Sequence, residues 1–312
     1  MKKLLVILVF FLSLCTLASC KNQIEYIKIC EETIPATFEV DNVEQRLTAI
    51  VLEVGKSKGE NELLNVSTSM ISENDLNKLK NPGLHSIVIN YEGFSANLTI
   101  EVTDPNSYSV KVVYPNGEPV TSGVTVQWCT GNICLLPVAV GANGVAYNSI
   151  EDGDYYIHID GIPSGYTYDP NAYTTNKNNK NVEIKLIELK PFTGDGTSTN
   201  PIIVSEGAVN VTYEGAGQAY MKYYSFTPTS NGTYSIKSLA MDKLALNAID
   251  PYIGFLGTET DMSKIDTSGN GDGKNINFTH TFTAEAGVSY TFIIFVSSAS
   301  RYPSSFDIVI TK

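Results

Sequence analysis

From residue 24 to the end of this chain, apolar and polar residues largely alternate in short runs. Ile24-Glu25-Tyr26-Ile27-Lys28-Ile29, Tyr223-Tyr224-Ser225-Phe226 and Gly232-Thr233-Tyr234-Ser235-Ile236 are examples. A period of two sends successive side chains to opposite faces, so each run reads as a strand with one face to bury. The runs are rich in Tyr, Val, Ile and Thr and are separated by clusters of Gly, Asn, Asp and Pro. A sheet with one apolar face is stable only when another layer covers it. The expected fold class is all-β, in tandem β-sandwich domains. Breaks at Asp104-Pro105-Asn106 and Leu189-Lys190-Pro191 divide it into segments 24–104, 108–189 and 192–312.

The first residues follow a different rule. Lys2 and Lys3 precede an apolar run from Leu4 to Leu14 broken only by Ser13. The run is shorter than the roughly 20 residues needed to cross a bilayer, and it reads as the core of a secretory signal. Its end, Leu17-Ala18-Ser19-Cys20, resembles the lipobox of bacterial lipoproteins. That resemblance implies cleavage of a lipoprotein signal peptide, residues 1–19. Cys20 would become the first mature residue, its thiol and amino group carrying fatty acids such as palmitate. The expected location is therefore extracytoplasmic, at the surface, with the membrane reached through the N-terminal lipid.

Acids outnumber bases, 33 to 21, for a net charge of −12. Loss of Lys2 and Lys3 with the signal takes this to −14. Such a chain is repelled by nucleic acid, which is excluded as a partner. Of the five cysteines, Cys15 leaves with the signal. Cys129 and Cys134 flank Thr130-Gly131-Asn132-Ile133 in a strand–turn–strand pattern, where facing residues lie close enough for a disulfide. Cys30 is left over and reads as a small buried residue in a strand.

Within segment one, Leu47 to Val54 reads as a strand, and Ser72 to Lys80 as a helical turn with Asn74 as its cap. Gly83, the run ending at Tyr91, the Glu92-Gly93 turn and Leu98-Thr99-Ile100-Glu101-Val102 resemble the closing hairpin of bacterial immunoglobulin-like domains. In segment two, Gly117 and Pro119, Asn143-Gly144 and Pro163-Ser164-Gly165-Tyr166 resemble transthyretin-like sandwiches, including the B-type repeats of collagen adhesins. Those repeats often carry a Lys–Asn isopeptide bond assisted by an acid. The matching positions here are Val112 and Ile159, and Lys111 and Asp160 are each one residue off, on the opposite face. In segment three, Tyr223 to Pro228, Gly232 to Ile236, Asp250 to Ile253 and Ala286 to Phe292 resemble the pre-peptidase C-terminal family, a jelly-roll-like sandwich.

No GxSxG, HExxH or phosphate-binding Gly loop is present, and the three histidines, His85, His158 and His280, are far apart. Two patterns qualify as sites. Asp266, Ser268, Asn270 and Asp272 place oxygens at alternate positions with glycines between, which suits Ca²⁺. The competing reading is a polar turn between strands. Tyr155, Tyr156, Tyr166, Tyr168 and Tyr173 cluster in segment two, either as a ligand-binding row or as core. The chain is thus expected to be a non-enzymatic surface lipoprotein in adhesion, binding or structure, facing an extracellular protein or glycan. The alternatives are a carbohydrate-binding module array and an unrecognised secreted hydrolase.

Overall fold

A computed structural model describes residues 23–131, 133–239, 249–270, 277–299 and 302–312. The chain is all-β, with several sandwich-like sheets, and falls into two compact units divided between Asn106 and Ser107.

The first unit contains β1 (Ile24–Ile29), β2 (Phe38–Glu39), α1 (Val43–Leu47), β3 (Val51–Lys56), β4 (Glu62–Asn65), α2 (Glu73–Lys78), β5 (Gly83–Tyr91) and β6 (Phe94–Thr103). Its sheets run β1-β3-β4 and β2-β6-β5. Leu52, Ile87, Ile89, Leu98 and Val102 share its core. The closing hairpin has the two-residue turn that its sequence demands. Glu92 (φ 49°) and Gly93 (φ 89°) are both left-handed, and Tyr91 faces Phe94. Two local expectations need correction. Residues 47–54 are not all strand: Val43 and Leu47, four apart, bury one face of α1 before β3 begins. The cap of α2 is Ser72, whose Oγ accepts from the Asp75 amide, rather than Asn74. Cys30 lies just past β1, half-buried, its amide donating to Val51.

The second unit holds two hydrophobic cores. The first is built by β7 (Tyr108–Val113), β8 (Thr125–Thr130), β9 (Ile133–Cys134), β10 (Val138–Ala139), β11 (Val145–Asn148), β12 (Tyr155–Asp160), β13 (Tyr166–Thr167), β14 (Thr174–Thr175), β15 (Asn181–Lys185) and β16 (Ile187–Glu188). One sheet runs β10-β8-β12-β14, with β9 on β8, and another runs β11-β7-β15. Trp128, Val110, Val112, Ile157 and Ile184 fill the core. β15 lies parallel to β7, which carries both strands out at the same end. A third, two-stranded sheet pairs β13 with β16 there.

The second core lies between two four-stranded sheets. They comprise β17 (Ile202–Val204), β18 (Gly207–Tyr213), β19 (Lys222–Phe226), β20 (Gly232–Leu239), β21 (Ile249–Gly257), β22 (Thr279–Ala284), β23 (Tyr290–Ala299) and β24 (Ser304–Thr311). Their orders are β17-β19-β23-β21 and β18-β24-β20-β22. Aromatic rings pair within each sheet, Tyr213 on Phe306 at 5.5 Å and Tyr224 on Phe292 at 5.1 Å, and Phe226 meets Tyr234 edge to face at 5.2 Å between the sheets. The hydroxyls of Tyr213 and Tyr224 meet at 2.8 Å, fully buried, and Tyr213 also reaches the Ile294 carbonyl. Each hydroxyl thereby avoids the cost of burial without a partner.

Burial pushes the ionisation of both phenols above the ordinary tyrosine value. An unfolded tyrosine ionises near pH 10, so the folded state holds these protons where the unfolded state has lost them. This contribution to stability is complete below pH 10 and is lost as pH rises toward the folded values. The expected slope is about 1.4 kcal/mol per pH unit for each tyrosine. Urea unfolding from pH 9 to pH 11 should show a steeper fall for the native chain than for Tyr213→Phe/Tyr224→Phe. An equal slope would remove these groups from the account.

Candidate functional site

Strands meet solvent at their turns, and one end of the Trp128 sandwich gathers two of them. The first turn follows β7. Tyr114 donates its amide to the Glu118 carbonyl, Gly117 donates to the Tyr114 carbonyl, and Asn116 Oδ1 accepts from the Glu118 amide. Gly144 packs against this turn with φ 75°, and a Cβ there would lie 2.8 Å from Pro119 Cβ. Only glycine fits that position without a shift. The second turn runs from Pro163 to Tyr166, closed by the Tyr166 amide on the Pro163 carbonyl. Its Tyr166 then pairs across the β13–β16 ladder with Glu188.

Between these turns lies a cleft of about 560 Å³, lined by Tyr114, Pro115, Asn116, Glu118, Pro163, Ser164, Tyr166 and Glu188. That size is usual for a small-ligand site. Tyr114 and Tyr166 meet edge to face, with ring centres 5.0 Å apart. Both rings rest on the Trp128 core and are half-buried, whereas Asn116, Glu118, Ser164 and Glu188 are exposed. Lys190 Nζ hydrogen-bonds Glu188 Oε2 at the edge of the cleft.

The five tyrosines singled out from the sequence do not form one exposed row. Tyr166 lines the cleft. Tyr156 and Tyr168 are buried; the Tyr156 hydroxyl donates to the Gly131 carbonyl, and that of Tyr168 accepts from the Ile159 amide. Tyr155 packs edge-on against Tyr108, and Tyr173 is half-buried against the same core. Tyr114, Asn116, Glu118, Ser164 and Glu188 were not singled out as site residues. The signal available for them was the pair of turn motifs, which the sequence does not show to be neighbours.

The Asp266 loop is placed differently. The backbone of Asp266 pairs with Phe255, and its Oδ1 accepts from the Ser268 amide, which holds the carboxyl below its ordinary range. Asn270 turns its side chain onto β21. Oδ1 accepts from the Ile253 amide at 2.7 Å, and Nδ2 donates to the Ile253 carbonyl at 2.7 Å and to the Thr267 carbonyl. The Asn270 side chain thus acts as a strand neighbour for a residue that is wholly buried. Among the described residues, no group of three His, Cys, Asp or Glu side chains has metal-binding spacing. Asp272 and Cys20 lie outside the described residues.

Cys129 and Cys134 face one another across the β8–β9 ladder, Cα atoms 4.0 Å apart, joined by a disulfide. Lys111 stays on the outer face, paired with Glu183 at 3.3 Å, while Val112 and Ile159 are core residues.

No protein-family model matches this sequence, and no curated protein matches it. Solved structures give likenesses at low scores. The pre-peptidase C-terminal domain of a Bacillus anthracis collagenase aligns at 13% identity over 35% of this chain and 92% of that one, with a TM-score of 0.25. The major pilin subunit of Bacillus cereus aligns at 13% identity over 66% of this chain and 59% of the pilin, less than two thirds of its length, with a TM-score of 0.25. A DUF3823 family protein from Bacteroides ovatus aligns at 14% identity over 65% of this chain and 94% of that one, with a TM-score of 0.22.

Replacing Asn270 by Ala strips the Ile253 amide and carbonyl of their partners, at an expected cost of about 2–4 kcal/mol. Asn270→Asp keeps the acceptor but sets a carboxylate oxygen against the Ile253 and Thr267 carbonyls, so it should recover little of the loss. Denaturant unfolding of the two variants measures both. If neither variant changes stability, the loop is not fastened to β21 in this way.

Proposed function

We propose that this chain is an exported, lipid-anchored and non-catalytic surface protein that serves in binding or adhesion. The observation that carries the reading is the Cys129–Cys134 pair. A cross-strand disulfide forms and persists in an oxidising compartment and is uncommon where thiols are kept reduced. β9 is only two residues long, so the cross-link holds a hairpin that its own ladder would hold weakly. The lipobox-like Leu17-Ala18-Ser19-Cys20 supplies the tether in this reading. Several acyl chains contribute about 0.8 kcal/mol per buried CH₂, enough for stable attachment where one chain is marginal. No helix among the described residues is long and apolar enough to cross a membrane.

Expressed with its own leader in a bacterium that processes lipoproteins, the chain should fractionate with membranes and incorporate labelled palmitate. Cys20→Ala should abolish the label and free the protein from the membrane fraction. Unacylated protein recovered from the cytosol would overturn the proposal. Separately, Cys129→Ala/Cys134→Ala should lower stability by about 2 kcal/mol, the entropy of closing so short a loop. A reductant should then lower the melting temperature of the native chain alone.

A further inference from the structure

We infer that the Tyr114–Tyr166 cleft is a binding site for a neutral saccharide. The inference deepens the binding role proposed above and rests on it.

The groups around the cleft carry the argument. Among the described residues, the hydroxyls of Tyr114 and Tyr166 have no hydrogen-bond partner in the protein, and neither have Asn116 Nδ2, Ser164 Oγ or the Glu118 carboxylate. Three kinds of group are therefore left unused at one place: donors only (the Asn116 amide), acceptors only (Glu118) and hydroxyls that do both. A sugar hydroxyl also donates and accepts at once, so a mixed set of this kind suits it on every side. The tyrosine rings and Pro115 and Pro163 add apolar surface for the C–H face of a sugar ring.

Two other ligand classes fit less well. An anion would have to approach Glu118 and Glu188; none of the described residues lining the cleft is a cation, and Lys190 at its edge is paired with Glu188. An ammonium group, such as a lysine side chain, would suit the rings and Glu118. It would leave the Asn116 amide donor without an acceptor and would use only the acceptor side of the hydroxyls. The exposed rim, with four polar residues at the surface, suits a segment of a chain passing through better than an enclosed monosaccharide.

The test uses the purified mature chain and a panel of immobilised neutral oligosaccharides: maltoheptaose, cellopentaose, xylohexaose, mannopentaose and chitotetraose. Tetralysine and heparin serve as cationic and anionic probes. At least one neutral oligosaccharide should bind, and its affinity should exceed that for either charged probe. Tyr166→Phe should weaken it about three- to tenfold through loss of one hydrogen bond, and Tyr166→Ala should weaken it tenfold or more. Glu118→Gln lies on an exposed turn, away from the core, and should weaken it about threefold with an unchanged melting temperature. Preference for tetralysine or heparin would overturn the inference, as would failure of the whole panel or binding indifferent to all three variants. Any of these results obtained with palmitate labelling intact would remove the saccharide site and leave the lipoprotein reading standing. Loss of labelling with binding retained would do the reverse.

Discussion

An alternating strand has one face that water destabilises, and every larger feature here follows from how that face is covered. In the first unit, two three-stranded sheets and the short helices α1 and α2 enclose Leu47, Leu52, Leu79 and Ile89. Around Trp128, the β8 and β7 sheets close on one another. In the C-terminal sandwich the filling is aromatic, and two tyrosines bring hydroxyls into a space that offers no water. Their mutual hydrogen bond makes that burial tolerable, so the stacked pairs Tyr213–Phe306 and Tyr224–Phe292 can contribute their full apolar area.

Covering the apolar face of each sheet leaves its outer face and the ends of its strands to polar groups, and the turns gather at those ends. Which turns become neighbours is then a matter of strand direction. Because β15 runs parallel to β7, Val113 and Lys185 stand side by side and the two chains leave the sheet together. Tyr114 begins the turn after one strand, and Glu188 follows the other. β13 meets that departing chain, and its Tyr166 comes to lie opposite Glu188. An antiparallel partner in place of β15 would have sent Glu188 to the far end and left Tyr114 without the other half of its cleft.

The sequence made the fold class legible because alternation is a local property. The 91–94 hairpin, the disulfide pair and most strand cores could be placed from a few residues each. Misreadings arose where tertiary burial overrode local pattern. Leu47 reads as the start of a strand, yet a core lying on one side makes Val43 to Leu47 a single helical turn that buries both ends. In the strand Gly207–Tyr213, Val209, Val211 and Tyr213 alternate, but what fixes it is its full ladder with β24, distant in the chain. Tyr166 and Tyr168 share a parity, so period two cannot separate a cleft residue from a core residue. What separates them is their distance from the end of the sheet, which only the assembled topology sets. Asn270 shows the same limit from the polar side. The oxygen that would serve a cation is the one that serves Ile253, and the choice depends on β21 lying within reach.

The support beneath the cleft matters as much as its rim. A tyrosine has only two side-chain torsions to order, and those of Tyr114 and Tyr166 are already constrained because each ring rests on the Trp128 core and on the other. A ligand meeting them has little ordering of the protein to offset, and more of the contact energy remains as affinity. The turn residues around them are under the opposite regime. Asn116, Glu118 and Ser164 are exposed, carry no core packing, and can change with little effect on the sandwich. Rigid rings set by the core and variable polar groups set by turns divide the work. The sheets decide that a flat apolar surface is presented at this end, and the turns decide which pattern of hydroxyls it accepts.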